Sequence, residues 1–117
     1  MTAITLYHNP RCSKSRAALA LLEENEVQPE IVYYLENPPS REQLLHLLQL
    51  LGISLGDLLR SSEPEFEQLG LGDSTLSEDI LLDIVVEHPK LLQRPIAVKG
   101  TRALIARPPE RVLELIK

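Results

Sequence analysis

Cysteine is the scarcest reactive residue in this 117-residue chain, occurring once, at Cys12. An internal disulfide is thereby excluded, and a reducing cytoplasm is the expected location. Long apolar runs are missing, as is a charged N-terminal stretch followed by an apolar one, so neither a bilayer span nor a secretory leader is expected. Repeats and low-complexity tracts are absent as well. A chain of this length is expected to form one domain over residues 1–117, with a core that needs no metal or disulfide support.

Acidic residues are missing from two segments. The net charge is −5, which speaks against nucleic acid as a partner. Residues 1–22 nevertheless carry Arg11, Lys14 and Arg16 and no acid, and residues 88–109 carry Lys90, Arg94, Lys99, Arg102 and Arg107 and no acid. The stretch between them is strongly acidic and holds only Arg41 and Arg60 as basic residues. If folding joins the two cationic segments, together they attract a small anion. Taken singly, each of these cations reads as a solvated surface charge.

What is present is a regular alternation of strand and helix patterns. Residues 3–7 are apolar and strand-like and stop at Asn9-Pro10; residues 13–25 show helical spacing; residues 30–34 are branched and aromatic. This is a β-α-β unit, whose strands run parallel. Asn37-Pro38-Pro39 forms a linker, and Ser40-Arg41-Glu42-Gln43 has the form of a capping box opening a leucine-rich helix that stops at Gly52. Helical turns are expected at about 55–60 and 65–69, and a helix capped by Ser77 runs to about Glu87. The runs Ile96-Ala97-Val98 and Ala103-Leu104-Ile105-Ala106 flank Gly100 and make a hairpin, after which Pro108 and Pro109 start a last helix. The order is β-α-β, a helical insertion at about 40–92, then β-β-α, an α/β class with a four-stranded mixed sheet.

Cys12 falls where the first strand passes into the first helix. A helix N-terminus offers unpaired N–H groups and partial positive charge, so a cysteine there readily loses its proton. His8, Arg11, Lys14 and Arg16 are close in sequence, and no acid precedes Glu23. A lone cysteine is commonly a small buried hydrophobe; beside a proline, a histidine and basic residues, this one reads as a reactive thiol. His46 and His88 have no partner at ligand spacing, so no metal site is expected.

A cysteine at the first strand-to-helix turn of a β-α-β and β-β-α chain resembles the thioredoxin fold, in which Pro95, just before the third strand, fits the cis-proline. The likeness extends to His8-Asn9-Pro10 before Cys12, to Ser15, to Tyr34-Leu35-Glu36-Asn37-Pro38-Pro39-Ser40-Arg41, to Leu58-Leu59-Arg60, to Arg94-Pro95-Ile96 and to Arg107-Pro108-Pro109. Collinear over essentially the whole chain, these segments resemble the glutaredoxin-linked arsenate reductase (ArsC) family. The resemblance implies Cys12 as nucleophile, His8 and Ser15 as groups favouring its thiolate, and Arg60, Arg94 and Arg107 around a tetrahedral oxyanion. It also implies no bound cofactor, with glutathione as co-substrate and glutaredoxin as partner. Lys14 departs from the family, where threonine is frequent at that position.

Each assigned residue has a plainer reading beside this one. Arg60 can serve a helix C-terminus, Arg94 the acidic middle, Arg107 Glu110, and His8 and Ser15 nearby backbone. Two other functions share the pattern. A glutathione-dependent thiol-disulfide oxidoreductase would use Cys12 and Ser15 but needs no three arginines. A redox regulator that binds RNA polymerase would use a second cysteine where Ser15 stands. The alkylation rate of Cys12 against pH is expected to show a midpoint below the free-thiol value of about 8.5, and a midpoint at or above it would remove the activated nucleophile.

Overall fold

The computed structural model describes residues 3–60, 62–72, 76–93 and 95–116. The chain forms two compact units, Met1–Asn37 with Arg94–Lys117, and Pro38–Gln93. Among the described residues no helix is long and apolar enough to cross a membrane.

The first unit holds β1 (Ile4–His8), α1 (Ser13–Glu24), β2 (Glu30–Tyr33), β3 (Ile96–Lys99) and β4 (Arg102–Ile105). The sheet order is β2-β1-β3-β4. β1 is parallel to β2, which demands a crossover that α1 supplies, and antiparallel to β3, which is antiparallel to β4. This is the thioredoxin-like arrangement, and the helical insertion falls within the second unit.

Alternation along β1 buries Ile4, Leu6 and His8 on one face. On α1 the buried residues are Ser15, Ala18 and Leu22, spaced to share one stripe. Ile4, Leu6, Ala18, Leu22, Ala97, Leu104, Ala106, Val112 and Leu115 form one apolar cluster. Ala18, Ala97 and Ala106 are fully buried within it, so methyl-sized side chains set how closely helix and sheet approach.

Register decides which loops share an end of the sheet. Tyr7 lies opposite both Val32 and Ile96, and Ile96 opposite Ile105. The chain therefore leaves β1 toward Cys12 and leaves β4 toward Arg107 at one end. Lys99 pairs with Ile4 and with Arg102 at the other end, where Gly100-Thr101 closes the hairpin. Gly100 takes φ 60, as the first central position of a type II′ turn requires.

The expected last helix is a 3-10 helix, Pro109–Leu115, rather than an α-helix. Its buried residues are Pro109, Val112 and Leu115, a spacing that eclipses on three residues per turn. Lys99 Nζ donates to Leu115 O at 3.0 Å and an Arg102 guanidinium N–H to Glu114 O at 3.0 Å, satisfying carbonyls at its end. The proline that the thioredoxin likeness makes cis, Pro95, follows Arg94, which lies outside the described residues. The Arg107–Pro108 bond is cis.

The second unit contains α2 (Arg41–Leu51), α3 (Leu55–Leu58), α4 (Pro64–Gln68), α5 (Glu78–Glu87) and a 3-10 turn at Pro89–Leu91. The capping box is present: Gln43 N donates to Ser40 Oγ at 3.2 Å and Ser40 N to Gln43 Oε1 at 2.8 Å. Gly52 ends α2 in the left-handed region at φ 68. An antiparallel bridge joins Leu59 to Leu92, with Gln93 N donating to Leu58 O at 2.7 Å and Arg60 N to Leu91 O at 2.6 Å. Leu22→Ala, which empties the fully buried contact of α1 with the sheet, should cost about 2–5 kcal/mol in urea unfolding; a loss under about 1 kcal/mol would mean that α1 is not anchored this way.

Candidate functional site

β1 ends where Asn9 and Pro10 follow, because proline has no N–H for a ladder. Asn9 then turns the chain: its side-chain Oδ1 accepts Arg11 N–H at 3.0 Å, and its carbonyl accepts Cys12 N–H at 3.0 Å. Cys12 is thereby placed as the N-cap of α1, at φ −94 and ψ 122, and is half-buried. Its carbonyl accepts Arg16 N–H at 3.0 Å. The Arg16 guanidinium reaches back to Pro10 O at 2.9 Å, tying the loop to the first turn. That turn carries no acidic side chain, so nothing on it opposes a thiolate.

Beneath the loop lies a small polar set. Among the described residues the buried polar side chains are His8 at 4%, Asn9 at 7% and Ser15 at 0% exposure, and all three belong to this turn. His8 Nδ1 and Ser15 Oγ share a hydrogen bond of 2.6 Å. Ser15 Oγ also accepts Asn9 N–H at 3.1 Å. Buried polar groups are costly unless paired; here His8 and Ser15 pair with each other and the Asn9 side chain with the Arg11 backbone. Burial pushes the His8 imidazole below its ordinary pKa, and the Arg16 charge adds to the effect. At neutral pH His8 is therefore an uncharged hydrogen-bonding group that braces the turn; it contributes no cation.

The arginines divide between the units. Arg107 is exposed and lies two residues beyond β4, at the end of the sheet where the Cys12 loop leaves; its N–H donates to Ile105 O at 2.9 Å. Arg60 belongs to the second unit, where its guanidinium pairs with Glu63 at 3.1 Å, both side chains being about 15% exposed. Arg94 lies outside the described residues. The second cationic segment is only partly a field for the thiol: Lys99 and Arg102 bond carbonyls of the 3-10 helix at the far end of the sheet, and Lys90 pairs with Glu65 at 3.5 Å.

Sequence reasoning passed over two residues that matter. Asn9 reads as a strand breaker, yet its side chain and carbonyl both shape the turn; an asparagine ahead of a proline is the available signal. Glu63 reads as one acid among many, although its place three residues after Arg60 permits the pair.

The His8 shift has a consequence for stability. Because the folded pKa lies below the ordinary 6.5, the unfolded chain binds the proton more readily. The contribution is complete above about pH 6.5 and is lost as pH falls through the depressed folded value. Denaturant midpoints at pH 7.5 and 5.5 should therefore fall further for the wild type than for His8→Asn. Equal falls would show that the imidazole is not buried in its neutral form.

The model of the ArsC family matches residues 7–115. The uncharacterized protein YfgD of Escherichia coli (strain K12) is 50% identical over 114 residues, covering 97% of this chain and 96% of that protein. An arsenate reductase of Escherichia coli is 42% identical over 117 residues, covering 100% of this chain and 83% of that protein. The solved structure of an arsenate reductase from Vibrio cholerae aligns with a TM-score of 0.94 at 47% identity, covering 97% of each chain. With a family match spanning nearly all of its length, the chain belongs to the ArsC family.

Proposed function

We propose that this protein reduces arsenate to arsenite through a covalent adduct on Cys12, with glutathione and glutaredoxin supplying the electrons. The observation that carries the reading is Cys12 at the N-cap of α1, on a turn braced by the buried hydrogen bond between His8 and Ser15. The relatives named arsenate reductase supply the oxyanion.

In the first step the Cys12 thiolate attacks arsenic and one arsenate oxygen leaves as water, taking up protons. A sulfur–arsenic(V) bond forms as an arsenic–oxygen bond breaks. In the second, a glutathione thiolate attacks Cys12 Sγ, and the sulfur–arsenic bond breaks with its electron pair going to arsenic. Arsenite leaves as arsenic(III), and Cys12 is left in a mixed disulfide with glutathione. A glutaredoxin thiolate then takes the glutathione, and the Cys12 thiolate returns. Two thiols are oxidised for each arsenate reduced, which a chain with a single cysteine cannot supply alone.

The family resemblance assigns Arg60, Arg94 and Arg107 to the oxyanion, whose oxygens match the paired donors of a guanidinium. His8 and Ser15 act as positioning residues, keeping the turn that aims Cys12. A thiol-disulfide oxidoreductase would share the nucleophile but not an arginine-dependent affinity for arsenate.

Arsenate-dependent NADPH oxidation, coupled through glutathione reductase, tests the proposal. Turnover is expected only with both glutathione and a glutaredoxin present, and Cys12→Ser should abolish it. Arg107→Ala should lower kcat/KM for arsenate by about 10- to 100-fold, the loss of a charged hydrogen-bond donor. Arg111→Ala should change it little, because that side chain is spent on Ile105 O and Glu114. Cycling with a thioredoxin system alone would overturn the glutathione route, and turnover by Cys12→Ser would overturn the mechanism.

A further inference from the structure

An open cleft of about 260 Å³ lies against the Cys12 loop, lined by His8, Pro10, Arg11, Tyr33, Leu35 and Glu36, with Asn9. Its construction differs from that of an anion site. Tyr33 and Leu35 are among the few large apolar side chains left exposed, at 41% and 38%. The Tyr33 ring meets the buried His8 edge-on, with centroids 6.0 Å apart, which fixes one wall. Arg11 and Glu36 are both exposed. Among the described residues neither side chain makes a hydrogen bond or ion pair, although both backbones are engaged in turns. The cleft thus presents one unpaired cation, one unpaired anion and an apolar surface, and Arg11 is the residue next to the nucleophile.

A bare oxyanion gains nothing from Glu36, whose carboxylate repels it. A neutral thiol gains nothing from either charge. The ligand that satisfies every group carries a carboxylate, an ammonium and apolar methylenes, with a thiol free to reach Cys12. We propose that this cleft is the binding site of the reducing thiol, a zwitterionic thiol peptide of the glutathione class, its carboxylate on Arg11, its ammonium on Glu36 and its methylenes over Tyr33 and Leu35. The inference rests on the reading of the chain as a thiol-dependent reductase, and it separates the two substrates: the oxyanion answers to arginine, the reductant to this mixed-charge cleft.

The test uses S-methylglutathione, which has the charges of the peptide but no thiol, titrated against the full-length Cys12→Ser protein by NMR, with glutathione kinetics run in parallel on the Cys12 enzyme. Shifts should localise to Arg11, Tyr33, Leu35 and Glu36. Glu36→Gln and Arg11→Gln should each weaken binding about three- to fivefold, the scale of one exposed ion pair, and raise KM for glutathione by the same factor. Glu36→Gln should leave KM for arsenate within twofold, and Arg11→Lys should bind as the parent does. Folding is not at stake, since both side chains are exposed and unpartnered. Arsenate turnover with a KM for glutathione indifferent to all of these variants would overturn the cleft and leave the proposed function standing. Localised binding without any arsenate turnover would support the cleft as a thiol-peptide site and overturn the proposed function. Shifts spread over other surfaces, or none at millimolar ligand, would overturn the cleft whatever the activity.

Discussion

The hydrogen bond between His8 and Ser15 joins the last residue of a buried strand to the first turn of the helix that follows it, across the loop that carries Cys12. The buried side chains of His8, Asn9 and Ser15 gather around it. If the pair were opened, the Asn9 amide would lose its acceptor and three desolvated groups would be left in an apolar setting. The placement of Cys12 is thus coupled to the packing of α1 on the sheet: Ser15, Ala18 and Leu22 lie on one buried stripe. A helix that fitted the sheet less closely would carry Ser15 out of reach of His8.

Charge is distributed with the same economy. The acidic middle of the chain is not uniformly free to repel an anion, because part of it is matched to cations in its own unit. Arg41 bridges from α2 to Asp79 and Asp83 on α5, an exposed set that contributes little stability singly. Arg60 and Glu63 are more enclosed, so their attraction is less screened. In the first unit the two hairpin cations are consumed by carbonyls of the 3-10 helix. Arg11 and Arg107, by contrast, remain exposed at the Cys12 end of the sheet.

Much of this was legible from residues alone, for local reasons. The Ser40 and Gln43 pair, the stop at Gly52 and the turn at Gly100 are properties of a few neighbouring side chains and of one backbone conformation each. The β-α-β and β-β-α order followed from spacing that changes period at recognisable breaks. The 3-10 winding of Pro109–Leu115 was not legible, since an apolar residue at every third position suits either helix until packing selects one. Nor was the Leu59 to Leu92 bridge, because Leu58-Leu59 carries the same leucine pattern as the helices around it and its partner lies far along the chain.

The candidate site divides in the same way. The sequence by itself determined that there is one cysteine, that it stands at a strand-to-helix turn, and that no second thiol in the chain can donate electrons beside it; these follow from composition and short-range order. Tertiary structure decided that His8 is neutral and braces Ser15, that Lys99 and Arg102 point their charge at the far end of the sheet, that Arg60 is paired with Glu63, and that Arg11 and Glu36 flank an apolar cleft. Burial and strand register set these outcomes, and both depend on which distant segments pack together, a property that no local run of residues contains.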